Sequence, residues 1–162
     1  MSKLILMMGQ PGSGKSTFLK NLKLDKTYKV ISRDAIRFSL IQEDDEYFSK
    51  ESEVFSTFTK DIELASYCND YVFADATHLN RPSRRKLLSN ICISLFSEID
   101  ILWIKTPLKV SLSRNEKRIG TRAYVPPYQI KKMFYNMTIP TIEEGFTHIY
   151  AYDFCTNEIE EM

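Results

Sequence analysis

The residues Gly9-Gln10-Pro11-Gly12-Ser13-Gly14-Lys15-Ser16-Thr17 set the tightest limit on what this chain can fold into. An apolar run, Leu4-Ile5-Leu6-Met7-Met8, precedes them, and Phe18 to Leu24 reads as helix, so the glycine-rich turn joins a strand to a helix. Glycine, any four residues, then Gly-Lys-Ser is the spacing of a phosphate-binding loop. Backbone N–H groups turned inward, together with the positive end of the helix starting near Gly14, suit an anion. In such a loop Lys15 reaches the outer two phosphates as a point charge, the Ser16 hydroxyl coordinates Mg²⁺, and Thr17 hydrogen-bonds the innermost phosphate.

The rest of the composition narrows the setting. The chain has 162 residues, 43% apolar and 27% charged, which fits one globular domain with ample core and excludes disordered and fibrous classes. A formal net charge of +1 gives no global field for nucleic acid, so any such partner must be held by a local patch. Apolar runs are too short for a membrane span or a secretory signal, which predicts a cytosolic chain with no membrane partner. Cys68, Cys92 and Cys155 lack paired spacing and are expected to be small buried thiols.

Further along, Thr27 to Ser32 reads as a second strand and Ala35 to Ile41 as a helix, leaving Asp34 at their junction. A third helix runs to about Asn69. Tyr71-Val72-Phe73-Ala74-Asp75 is an interior strand ending in a carboxylate, and Ala76-Thr77-His78-Leu79-Asn80 returns the chain to the same edge. There Asp75 can hold a metal's water shell, receive a substrate hydroxyl, or merely cap the next helix. Asn80 to about Leu95 reads as an amphipathic helix whose basic start (Arg81, Arg84, Arg85, Lys86) opposes the helix dipole, for which phosphate contact is one reason.

Ile99 to Ile104 gives a fourth strand, Gln129 to Asn136 a helix and Phe146 to Tyr152 a fifth strand. Between them lies a basic, Gly- and Pro-bracketed stretch in which Arg118 and Arg122 are candidate lid arginines for the charge that develops in phosphoryl transfer. The pattern predicts an α/β fold of three layers: a five-stranded parallel sheet, helices on both faces, and a basic helical lid at about 107–136.

Phosphate loops serve switches, motors and kinases. The Asn-Lys-x-Asp motif of a guanine-nucleotide switch is absent, and a motor would usually be larger. Asp34 lies where a general base for an attacking hydroxyl belongs, and Arg37, one helical turn later, lies where it can clamp an acceptor phosphate.

With those residues in view, the chain resembles the 5′-hydroxyl polynucleotide kinase family, the kinase module of the T-even phage and bacterial RNA-repair enzymes. The likeness runs in order through residues 9–17, Ile31-Ser-Arg-Asp-Ala-Ile-Arg37, Ala74 to Asn80 with Arg84-Arg85 behind it, and Arg114-Asn-Glu-Lys-Arg118 before Gly120-Thr121. The resemblance implies a single P-loop kinase domain over 1–162, ATP as donor, Mg²⁺, and a DNA or RNA 5′-hydroxyl end as acceptor, in nucleic-acid repair. It implies Asp34 as general base, Arg37 on the acceptor's 3′ phosphate, Asp75, Thr77 and Arg84 on the acceptor side, and Arg118 on the donor phosphates. The family's Asp-x-Asp phosphatase motif is missing, so 3′-phosphate removal is not expected and separate ligase or phosphatase partners are. The alternatives are a small-molecule or nucleoside kinase with the same donor machinery, and a nucleotide-binding subunit without chemistry.

Overall fold

The computed structural model describes residues 1–162. Its strands are β1 (Ser2–Met8), β2 (Tyr28–Ser32), β3 (Tyr71–Asp75), β4 (Phe96–Lys105), β5 (His148–Asp153) and β6 (Glu158–Glu161), joined in one sheet of order β2-β3-β1-β4-β5-β6. The first five are mutually parallel and β6 runs antiparallel to β5. The helices are α1 (Lys15–Lys20), α2 (Arg33–Leu40), α3 (Glu51–Ser66), α4 (Arg81–Ser89), α5 (Leu108–Glu116) and α6 (Pro127–Tyr135).

β1 is central, and it is apolar from Leu4 to Met8 because both of its faces are covered there. Leu4, Leu6 and Met8 join the larger core, which Phe58 and Ile62 of α3 and Leu87 of α4 complete on one face of the sheet. Met7 points to the other face, where Phe73, Leu102, Ile104 and Leu19 of α1 form a smaller cluster. No helix is long and apolar enough to cross a membrane.

Three expectations need correction. The sheet has six strands, not five: after Asp153 the chain turns through Asn157, at φ 57°, and Glu158-Ile-Glu-Glu161 pairs with β5. All four β6 residues are exposed, so neither alternation nor apolarity marked them as a strand. The helix beginning near Asn80 ends at Ser89 rather than Leu95, because the Asn90 side chain donates to the Lys86 carbonyl (2.7 Å) and closes its last turn. All three cysteines are exposed rather than buried.

Candidate active site

Strand register assembles the site. Met7 of β1 stands level with Asp75 of β3, and Asp75 with Ser32 of β2. Two residues beyond, the Gly9 N–H donates to the Thr77 carbonyl (3.0 Å), which fastens the start of the loop to the segment after β3. Phosphate loop, Asp75 and the Ser32–Asp34 junction therefore share one carboxyl edge of the sheet, where parallel α/β sheets hold ligands.

The loop is shaped from below. Gln10 is buried, and its Nε2 donates to the Thr106 carbonyl (2.9 Å) and the Ser111 Oγ (2.8 Å), while Thr106 Oγ1 donates to the Ser13 carbonyl (2.7 Å). The side chain of Gln10, expected on the nucleotide, thus anchors the loop to the β4–α5 junction. Half-buried Pro11 lies at the turn between Gln10 and Gly12. Gly12 (φ 81°) and Gly14 (φ 100°) adopt left-handed backbone, and a Cβ on Gly12 would stand 2.5 Å from the Ser111 carbonyl oxygen.

Gly14 caps α1 without a side chain, and no acid lies in the first turn. The leading N–H groups of the helix therefore lack side-chain partners, as an anion cradle requires. The exposed hydroxyl-bearing residues Ser16 and Thr17 sit on that first turn, and Lys15 Nζ donates to the Gly9 (2.8 Å) and Gln10 (3.4 Å) carbonyls. This cradle fits a nucleotide triphosphate, and the Ser16 hydroxyl with the Asp75 carboxylate fits Mg²⁺, a hard cation that takes oxygen ligands.

The charges around the loop act on one another. Desolvation pushes Lys15 below the ordinary lysine range, against the pull of Asp75 and Asp34, while Arg118 pushes it the same way as burial. Burial raises the Asp75 carboxyl, Lys15 opposes that shift, and Asp34 adds to it. The fold thus brings Lys15, Asp34, Asp75 and Arg118 within electrostatic reach.

Asp34 opens α2 with a side chain 62% exposed, free to meet a substrate on one side. On the other side it is held: the Tyr47 hydroxyl donates to Oδ1 (2.7 Å), and Arg37 pairs with the same oxygen. Burial, and after it Asp34, raises the Tyr47 phenol above its ordinary range, so that hydroxyl stays a donor. Arg37 is only 4% exposed; its guanidinium pairs with Glu51 (2.9 Å), donates to Tyr47 (2.8 Å) and lies 4.3 Å from the centre of the Tyr47 ring. The side chain expected to clamp an acceptor phosphate is thus held by Asp34, Tyr47 and Glu51. Glu51 also pairs with Arg33; burial raises its carboxyl, but the two arginines outweigh that and hold it below the usual range. Neither Tyr47 nor Glu51 was legible as part of the site, since both reach it from beyond α2.

Arg84 requires a plain correction. It is 0% exposed and bonded bidentately to Glu144, so it has no surface to offer a substrate. His78 is buried at φ 45° with its ring Nδ1–H donated to the Met7 carbonyl (2.7 Å). Burial lowers its pKa from 6.5 to about 4.

As pH falls, the unfolded chain takes up that proton before the folded chain does. Stability from the neutral ring is whole above about pH 6.5 and declines by about 1.4 kcal/mol per pH unit down to about pH 4. Urea titrations at pH 7 and 4.5 should show a smaller acid loss in His78→Asn, whose side chain tolerates the left-handed backbone. Identical losses in the two proteins would remove this account.

The stretch expected to form a lid spans α5, the turn after it and α6. Asn115, fully buried, donates through Nδ2 to the Val125 carbonyl (2.6 Å) and accepts the Val125 N–H (3.0 Å), pinching the base of the 116–124 turn. Half-buried Arg118 lies on this turn near Lys15. Arg122 sits elsewhere: it donates to the Ile41 (3.1 Å) and Phe38 (3.4 Å) carbonyls and caps the end of α2 in place of the phosphates. Arg114, one turn before Arg118, donates to the Gly12 carbonyl (3.3 Å) and packs over Phe154 (4.6 Å), flanking the loop directly. Its four-residue step to Arg118 was the available signal.

Comparison with known proteins agrees with this geometry. A family model described as an AAA domain matches residues 4–140. The chain is 29% identical over 173 aligned positions to an L-seryl-tRNA(Sec) kinase of Methanococcus maripaludis, covering 98% of this chain and 65% of that protein. A chain of the Pnkp1/Rnl/Hen1 RNA repair complex superposes with a TM-score of 0.62 at 20% identity, over 83% of this chain and 45% of that one. A sugar kinase from Janibacter sp. HTCC2649 superposes with a TM-score of 0.60 at 17% identity, over 94% of this chain and 86% of that one. The structural likenesses show the fold, that of P-loop kinases.

Proposed function

The chain belongs to the AAA domain family, and from that premise we propose that it transfers the γ-phosphate of ATP to the 5′-hydroxyl end of a nucleic acid. The observation that carries this reading is Asp34: an exposed carboxylate, fixed from behind by Arg37 and Tyr47, on the sheet edge that bears the phosphate loop. The tRNA-kinase relative and the RNA-repair neighbour support a nucleic-acid acceptor. An exposed face of α4 carries Arg81, Arg85 and Lys86, cations available to strand phosphates.

In the reaction the loop N–H groups and the Lys15 ammonium hold the donor phosphates. Mg²⁺, when bound through Ser16 and Asp75, supplies neutralisation of charge between the outer phosphates. Asp34 accepts the proton of the acceptor hydroxyl as its oxygen bonds to the γ-phosphorus and the bond to the bridging oxygen breaks, releasing ADP. Arg37 orients Asp34, and Arg118 neutralises the equatorial oxygens from the lid. On this reading the protein works in the cytosol.

The sugar-kinase likeness over 94% of the chain favours a second reading, transfer to a small polyol. Labelled γ-phosphate offered with 5′-hydroxyl DNA, 5′-hydroxyl RNA, a nucleoside 3′-monophosphate and free sugars separates the two. Label is expected on oligonucleotide ends, and label on the sugars alone overturns the proposal.

A further inference from the structure

A cavity of about 520 Å³ opens between Phe48 ahead of α3, the Thr77–Asn80 segment after β3, and α6. Its walls lead to the reaction centre from two directions. The Thr77 carbonyl accepts the Gly9 N–H of the phosphate loop (3.0 Å). The Phe48 ring packs edge-on against Tyr47 (4.7 Å between centroids), whose hydroxyl sits on Asp34 (2.7 Å). A molecule filling this cavity therefore meets the segment that fastens the donor loop and the ring that packs against the tyrosine on Asp34.

The lining has a particular chemistry. Phe48 is 61% and Tyr128 67% exposed, so two aromatic residues face solvent at the same cavity with much of their surface uncovered. Among them stand the carboxamides of Asn80, Gln129 and Asn136, one cation, Lys132, and no carboxylate. Asn80 Oδ1 is taken by the Ser83 N–H (2.9 Å), leaving its amide as donor, and Gln129 Nε2 is turned to the Tyr128 hydroxyl (3.3 Å), leaving its carbonyl as acceptor. Flat apolar surfaces beside carboxamide donors and acceptors match a nucleobase, which has a π-face and a mixed polar edge. A small polyol has no π-face to stack.

We propose that this cavity binds the base of the acceptor's 5′-terminal nucleotide, with its face on Phe48 and Tyr128 and its edge on Asn80 and Gln129. The proposal rests on the nucleic-acid reading above and names the subsite through which it operates. Because stacking on an aromatic ring tolerates any base, the site predicts acceptance of all four termini with modest preferences.

The test is steady-state transfer from labelled ATP to a 5′-hydroxyl oligonucleotide, intact or abasic at its first nucleotide, with wild type, Phe48→Ala and Tyr128→Ala. For the intact end, each alanine variant should raise the acceptor KM by about 5- to 100-fold with the ATP KM unchanged. The abasic end should impose a comparable penalty on the wild type and little more on the variants. Equal kcat/KM for intact and abasic ends in the wild type overturns the base subsite while leaving the kinase assignment standing. Absence of wild-type transfer to any nucleic-acid end overturns both.

Discussion

Asp34→Asn should lower phosphoryl transfer by about 10²- to 10⁴-fold, the contribution of a positioned general base, while ATP still binds. The amide keeps the size of the carboxylate and a carbonyl oxygen for the Tyr47 hydroxyl, but it cannot take a proton from the attacking alcohol. Folding should be little affected: the side chain is 62% exposed, and Arg37 keeps its second partner, Glu51. Single-turnover transfer and calorimetric titration with a non-hydrolysable ATP analogue measure the two halves separately. Undiminished transfer would show that Asp34 is not the base, and loss of nucleotide binding would show that it belongs to the donor site instead. Lys15→Ala discriminates less, because any reading in which the loop holds a triphosphate expects it to fail.

The largest effect on stability is expected at Arg84. All five of its N–H groups are used: Nε and one Nη reach Glu144 (2.7 and 2.8 Å), and the others reach the His78 and Thr138 carbonyls (both 3.1 Å) and the Thr138 hydroxyl (3.2 Å). Glu144, 4% exposed at its side chain, accepts in turn the Thr141 N–H (3.1 Å) that begins its own short 3₁₀ turn. Arg84→Ala leaves that carboxylate buried without its cation, which costs about 3–5 kcal/mol. Replacing both charges with apolar groups of similar size, Arg84→Met with Glu144→Leu, should recover much of the loss, because no orphan charge remains. Urea midpoints of wild type, single and double variants decide the matter. A single variant within 1 kcal/mol of wild type, or a double variant less stable than the single, would contradict this assignment.

These two residues mark where sequence reasoning worked and where it stopped. The positions of Asp34 and Asp75 were legible because Asp75 ends β3 and Asp34 follows the end of β2, and parallel register carries strand ends to one edge. The loop was legible because its spacing is local. Arg84 looked like a phosphate ligand because its partner lies 60 residues away, and Arg37 because Glu51 lies beyond an intervening loop. A cation's role depends on who neutralises it, and that is decided by packing rather than by spacing. The same holds for Arg122, drawn to the end of α2, and for Tyr47, an aromatic residue in an acidic loop with nothing local to connect it to Asp34. The exposed cysteines failed for the opposite reason: burial was inferred from residue type where the fold had no neighbour to supply.

That sixth strand also settles how the sheet meets the solvent. β6 stands at the outer border of the sheet, with an unpaired row of backbone donors and acceptors that would otherwise invite another extended chain. Three of its four residues are glutamates, all exposed. A second molecule laying its own β6 alongside would bring carboxylate against carboxylate, so like-charge repulsion keeps the open flank from seeding aggregates.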